Sequence, residues 1–156
     1  MSKRVYITGW GIVSAIGNNV EENLDALKNN KSGIAYPNFL KTNYADKKVL
    51  GEVIYSNNAI KKLLGIEQSK TLSRTALLGM LAASEAISSS DLKAKDLQNS
   101  VFLNGTSVGG MDISELHYKS FLEGAKVDVK SAFSGHDCGH STESIADFIG
   151  SKGETS

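Results

Sequence analysis

The sequence predicts an α/β fold, a mostly parallel sheet flanked by helices, and three observations carry that expectation. Two short apolar segments, Val5-Tyr6-Ile7-Thr8 and Val101-Phe102-Leu103, run straight into glycine-containing turns. Neither alternates polar with apolar residues, which is the pattern of strands covered on both faces. After each turn comes a segment whose apolar residues recur at three- and four-residue intervals, the helical spacing. Strand, glycine loop, helix, then helix, strand, glycine loop, helix is the order of a sheet whose parallel strands are joined by crossover helices.

Taken in order, the first strand feeds the loop Gly9–Gly17, which has glycine at positions 9, 11 and 17. Asn18 or Asn19 caps a helix carrying Val20, Leu24 and Leu27, with Glu21 and Glu22 placed to complement the dipole of its first turn. Lys31-Ser32-Gly33 stops that helix. Residues 34–58 read as irregular around the single proline, Pro37, with a short strand possible at Val49–Tyr55. A brief helix over Ala59–Leu64 closes at Gly65. The clearest helix runs from Lys70 to Ser88, where Leu72, Ala76, Leu77, Met80, Leu81, Ala83, Ala86 and Ile87 form a wide face rich in small residues. Small side chains permit close approach, so this helix is expected to be mostly buried. Asp91–Leu97 reads as a polar connection to the second strand and its turn, Asn104–Gly110. A helix over Met111–Leu122 follows, with Ile113, Leu116 and Phe121 apolar and Gly124 at its end. After a loop at 125–135, Ser141–Ile149 forms a further helix with Ile145, Phe148 and Ile149 on one face.

The 156 residues fit one domain of ordinary size. Seventeen basic residues balance seventeen acidic ones, so no global field is present to hold nucleic acid or an anionic membrane, and neither is an expected partner. One cysteine builds no disulfide framework, and the N-terminus has no apolar signal-peptide core. No apolar run approaches the roughly 18 residues of a membrane span. A cytoplasmic protein is the expectation. Two strands are too few to bury both faces of a parallel sheet, and the stretch Gly150–Ser156 is a turn after a helix, where the next element would be a strand. The chain therefore reads as the front part of a longer protein. The alternative is that a strand at Val49–Tyr55 completes a small self-contained α/β domain that binds a ligand at its glycine turns.

Candidate chemistry is sparse. Gly9-x-Gly11 follows a strand, but the third glycine of a dinucleotide fingerprint is replaced by Ser14 and no acidic residue ends a second strand about 20 residues on. Gly105-x-x-x-Gly109-Gly110 lacks the Lys-Ser/Thr pair of a phosphate-binding loop, so its expected role is to bring backbone close to a narrow neighbour. No cofactor is expected. His136-Asp137-Cys138-Gly139-His140 offers two imidazoles and a thiol, but zinc takes four ligands, normally as two separated pairs, and the second pair is missing. No metal site is expected. Sequence neighbours seldom face each other as nucleophile and base, so Cys138 reads as an inert thiol at the entry to a helix. Lys47-Lys48 and Lys61-Lys62 read as solvated surface.

The opening Arg4–Gly17, with its Ile7-Thr8-Gly9-Trp10-Gly11-Ile12-Val13-Ser14 core, closely resembles the first strand and loop of β-ketoacyl-[acyl carrier protein] synthases. Three further stretches resemble that family in order. Leu27–Ile34 is similar to the end of its first helix, with Asn30 where glycine is usual. Ser73-Arg74 through Ala82-Ala83-Ser84-Glu85-Ala86-Ile87 is similar to its Asp-Arg…Ala-Ala-x-Glu-Ala-Leu helix, with Ser73 in place of Asp. Val101–Gly110 resembles its Gly-Thr-x-x-Gly-Gly strand and turn.

The resemblance implies the N-terminal portion, over residues 1–156, of a thiolase-like αβαβα fold, incomplete before the strand that bears the nucleophile. It implies a decarboxylating condensing enzyme of fatty-acid or polyketide-type synthesis, working with acyl carrier protein as a homodimer or beside another condensing subunit. The family's catalytic cysteine and two histidines match nothing in this chain; Cys138, His136 and His140 do not correspond to them, so no catalytic residue is assigned and this stretch is expected to be inactive alone. Val108 matches a position that lines the family's acyl pocket, and Phe133 lies where the family places pocket residues reached across the dimer interface. The His136–His140 stretch departs from the apolar, small-residue sequence usual there. A non-catalytic partner subunit of the chain-length-factor type is the other reading the resemblance allows.

Overall fold

A computed structural model describes residues 4–126, 128 and 132–155. The elements in order are α1 (Val20–Lys28), β1 (Ile34–Ala35), β2 (Leu50–Gly51), α2 (Asn57–Leu63), α3 (Arg74–Ser88), α4 (Ala94–Gln98), α5 (Met111–Leu122), a single 3-10 turn (Ser134–His136) and α6 (Cys138–Ile149). The chain divides into two compact units, one of Met1–Ile60 with Leu81–Asp91, the other of Lys61–Met80 with Leu92–Ser156.

In the first unit, Asn19 caps α1 by accepting the Glu22 N–H at 2.8 Å. The helix is where the sequence puts it, but its buried residues are Asn23 and Ala26, while Leu24 and Leu27 are exposed. It also stops earlier than Lys31-Ser32-Gly33. The Asn30 N–H reaches the Leu27 carbonyl and the Lys31 N–H the Ala26 carbonyl, a Schellman closure with Asn30 at φ 51°. That left-handed position explains why glycine is the usual residue here and why asparagine, the next most tolerant of that conformation, replaces it. Gly65, Gly124 and Gly150 close α2, α5 and α6 with the same bond pattern.

The loop 9–17 lies on the second half of α3. The backbone of Gly9 and Gly11 approaches the Ala86 and Ala82 carbonyls so closely that a side chain at either glycine would collide with them. Glu85 holds this loop from the helix side, accepting the Ile12 N–H at 2.9 Å and the Val20 N–H at 2.7 Å. Ser89 adds a pair of bonds to the Trp10 main chain. β1 and β2 pair antiparallel, Ile34 opposite Gly51 and Ala35 opposite Leu50, inside a stretch that reads as mostly irregular. Glu52 accepts the backbone N–H groups of Asn38, Phe39 and Leu40, which fixes the turn after Pro37.

In the second unit, Leu72, Ala76, Leu77, Met80, Ala132, Ile145 and Ala146 are buried. α3 starts at Arg74 rather than Lys70 because Ser73 is its cap, its Oγ accepting the Ala76 N–H at 3.1 Å. Serine and aspartate cap equally well, so the Ser73-for-Asp exchange preserves the helix start. Gly79 gives α3 room for the Ile145 side chain of α6. The short helix α4 starts within the polar segment 91–97 and ends one residue beyond it, and Asp96 turns back to accept the Lys93 N–H. α5 has the expected bounds, and α6 begins at Cys138, three residues before the expected Ser141, because Asp137 caps it through the Gly139 N–H. Of the expected loop 125–135, residues 127 and 129–131 lie outside those described.

The mostly parallel sheet is not formed among the described residues. Among the described residues the two-stranded sheet is antiparallel, and parallel pairing is limited to an isolated bridge, Phe102 with Thr155, made by the Phe102 N–H to the Glu154 carbonyl at 3.0 Å. Val5 and Ile7 are 93% and 82% exposed and Leu103 is 73% exposed. The physical reason is that an extended segment becomes a strand only when a neighbour satisfies its backbone groups, and no described segment pairs with residues 5–8.

Candidate functional site

The turn Gly105–Gly110 leads directly into α5 and fixes what stands beside it. A side-chain carbon at Gly109 would lie 2.6 Å from the His136 carbonyl oxygen, and one at Gly110 would collide with the Gly135 backbone. Glycine here lets two backbone segments touch, as the sequence suggested for this turn. The first turn of α5 is held by Asp112, whose carboxylate accepts the Arg74 N–H at 2.8 Å. These contacts set the 3-10 turn against α5, and an open groove of about 460 Å³ lies between them.

Met111, Ser114, Glu115 and Tyr118 line the groove from α5, and Phe133 and His136 line it from the segment opposite. The four α5 positions follow i, i+3, i+4, i+7 spacing, one face of a helix. Phe133 is packed edge-on against Phe121, ring centroids 6.2 Å apart and planes at 79°, the arrangement aromatic pairs favour. Ser114 is buried, and its Oγ is 2.9 Å from His136 Nδ1. The groove thus has an apolar wall of Met111, Tyr118 and Phe133 and a polar corner at Ser114, Glu115 and His136.

Of the two residues singled out from the sequence, Phe133 lies in this groove and Val108 does not line it. Val108 sits on the exposed side of its turn, its N–H bonded to Thr106 Oγ1 at 3.3 Å. The groove's α5 residues escape a sequence reading because Ser114 and Glu115 break the apolar pattern. Their helical spacing opposite Phe133 is the signal that could have found them.

Cys138 is the first residue of α6 and half-buried. His136 Nδ1 is engaged by Ser114, and the His140 ring lies over Gly135. Among the described residues no group of three His, Cys, Asp or Glu side chains is arranged to hold a metal ion, and no helix is long and apolar enough to cross a membrane.

A family model described as β-ketoacyl synthase, N-terminal domain, matches residues 2–154. The 3-oxoacyl-[acyl-carrier-protein] synthase 1 of Buchnera aphidicola (subsp. Schizaphis graminum) is 34% identical over 96 residues, covering 62% of this chain and 23% of that protein. The enzyme of the same name from Escherichia coli K12 is 33% identical over 97 residues, with the same coverage. The match therefore spans less than a quarter of the length of these curated relatives. Among solved structures, the ishigamide ketosynthase/chain length factor superposes with a TM-score of 0.77 at 22% identity, over 96% of this chain and 38% of that one. That likeness establishes a thiolase-like α/β fold while leaving the mostly parallel sheet outside what the described residues form. On the match that runs through residues 2–154, the chain belongs to the β-ketoacyl synthase N-terminal domain family.

Proposed function

We propose that residues 1–156 are the N-terminal domain of a 3-oxoacyl-[acyl carrier protein] synthase and that they help bind the acyl group while the attacking thiol lies elsewhere in the whole protein. The observation that carries this reading is the family match over 2–154. In the proposed reaction a cysteine thiolate attacks an acyl-carrier thioester, the carrier thiol leaves, and an acyl-enzyme results. Malonyl-carrier protein then loses carbon dioxide, its carbanion attacks the acyl carbonyl, and the cysteine thiolate is expelled as 3-oxoacyl-carrier protein forms. An oxyanion hole of backbone N–H groups stabilises both tetrahedral intermediates.

Within this reading Phe133 and the apolar wall beside it line the acyl chain, and Val108, which does not line the groove, meets the chain at another point of the pocket in the whole protein. Support for Phe133 comes from its place in the groove; support for Val108 comes from its motif position. Acyl carrier protein is the proposed partner, the assembly a dimer, and the compartment the cytoplasm. Phe102 paired with Thr155 is the proposed start of the parallel sheet that the whole protein completes.

The test is an assay of the full-length polypeptide that carries this chain, with acyl- and malonyl-carrier protein, for carbon dioxide release and 3-oxoacyl product. Product formation that falls on Phe133→Ala with a raised KM supports the reading. Absence of both acyl transfer and condensation overturns it.

A further inference from the structure

We propose that His136 selects the acyl group, so that the groove prefers a chain bearing a hydroxyl. This rests on the reading of the groove as the acyl site and goes one step further, to the class of acyl chain. The groove is not uniformly apolar. Met111, Tyr118 and Phe133 make a wall suited to hydrocarbon, but His136 lines the same space. Its ring is pre-oriented, because Nδ1 is 2.9 Å from the Oγ of Ser114, a residue only 6% exposed on α5. With Nδ1 engaged, Nε2 is the polar atom the ring has left to offer a ligand.

His136 is exposed, and a plain alkyl chain packed against its ring would displace water from that nitrogen without replacing the hydrogen bond, which costs free energy. A hydroxyl pairs with it whichever tautomer is present. If Nδ1 accepts the Ser114 proton, Nε2–H donates to the hydroxyl; if Nδ1–H donates to Ser114, Nε2 accepts from it. A carboxylate would have to share the groove with the Glu115 side chain, and an ammonium suits one tautomer only. The volume, about 460 Å³, falls in the range of small-molecule sites.

The experiment compares binding of decanoyl-pantetheine and ω-hydroxydecanoyl-pantetheine to the full chain by isothermal titration, with amide NMR to locate the site. The expected result is that both bind, that the hydroxylated thioester binds about tenfold tighter, the equivalent of one well-formed hydrogen bond, and that Phe133 amide shifts report both. His136→Leu should erase the preference, and His136→Gln, which keeps hydrogen-bonding capacity, should retain part of it. Because the two ligands are compared on the unaltered chain first, the result does not depend on how well a variant folds. Equal affinity for the two thioesters overturns the role of His136 and leaves the acyl-site reading standing. Failure of both to bind the folded chain overturns the acyl-site reading and this inference with it.

Discussion

Replacing Glu85 by glutamine should loosen the loop 9–17 and its junction with α1 from α3. The carboxylate receives two backbone donors at once, Ile12 at 2.9 Å and Val20 at 2.7 Å. A carboxylate accepts with either oxygen, whereas the amide of glutamine presents one acceptor and one donor. Glu85→Gln therefore loses one bond outright, turns an NH2 toward a backbone N–H, and reduces the other bond to a neutral one. Hydrogen bonds to charged groups contribute roughly 1.5–3 kcal/mol and neutral ones about 1 kcal/mol. Glu85 is only half-buried, so solvent screening places the net loss at about 2 kcal/mol. Trp10 is the chain's single tryptophan, and its main chain is bonded to Ser89, the residue that follows the end of α3. Urea unfolding followed by its fluorescence at low protein concentration should show the lowered midpoint. Glu22→Gln is the control: the Glu22 carboxylate accepts from the neighbouring Asn18 in exposed hydrogen bonds, and its loss should shift the midpoint by less than about 0.5 kcal/mol. A Glu85→Gln midpoint equal to that of the unaltered chain would refute the clasp.

Three other outcomes follow from the same geometry. Asn30→Gly should raise stability by up to about 1 kcal/mol and Asn30→Val should lower it by at least as much, because the residue is held at φ 51°; urea midpoints measure both. Gly110→Ala should cost roughly 1–3 kcal/mol, since the added carbon meets the Gly135 backbone, and should raise hydrogen exchange in the first turn of α6. The Asp25 carboxyl, hydrogen-bonded by Lys31 at 2.7 Å, is held below the usual aspartate range, and Lys31→Met should return it upward in an NMR titration. The lowered native pKa means that this pair's small stabilising contribution is present above the unfolded aspartate pKa and is lost as pH falls through the native one.

Local signals were legible in the sequence and non-local pairing was not. The bounds of α5 follow from Met111, Ile113, Leu116, Phe121 and Gly124, and the closure of α2 from Gly65, because helix periodicity and caps are encoded in neighbours. Gly109 and Gly110 announced a close backbone approach without naming Gly135 and His136 as what approaches. Val5–Thr8 and Val101–Leu103 have the composition of buried strands, yet composition does not supply partners, and these segments stay largely exposed. The same division holds for the candidate site. Phe133 is marked only by resemblance, while Ser114 and Glu115 join it through a helix face of mixed polarity. Glu85 stood inside a matched motif, but its two backbone bonds span 65 and 73 residues and leave no local trace.

The central claim is that this chain contributes to acyl binding and that its own thiol, Cys138, is not the nucleophile. Incubating the 156-residue chain with acyl-carrier protein and weighing it by intact-protein mass spectrometry tests this directly. The account predicts an unmodified mass. An acyl adduct that is abolished by Cys138→Ser would contradict it.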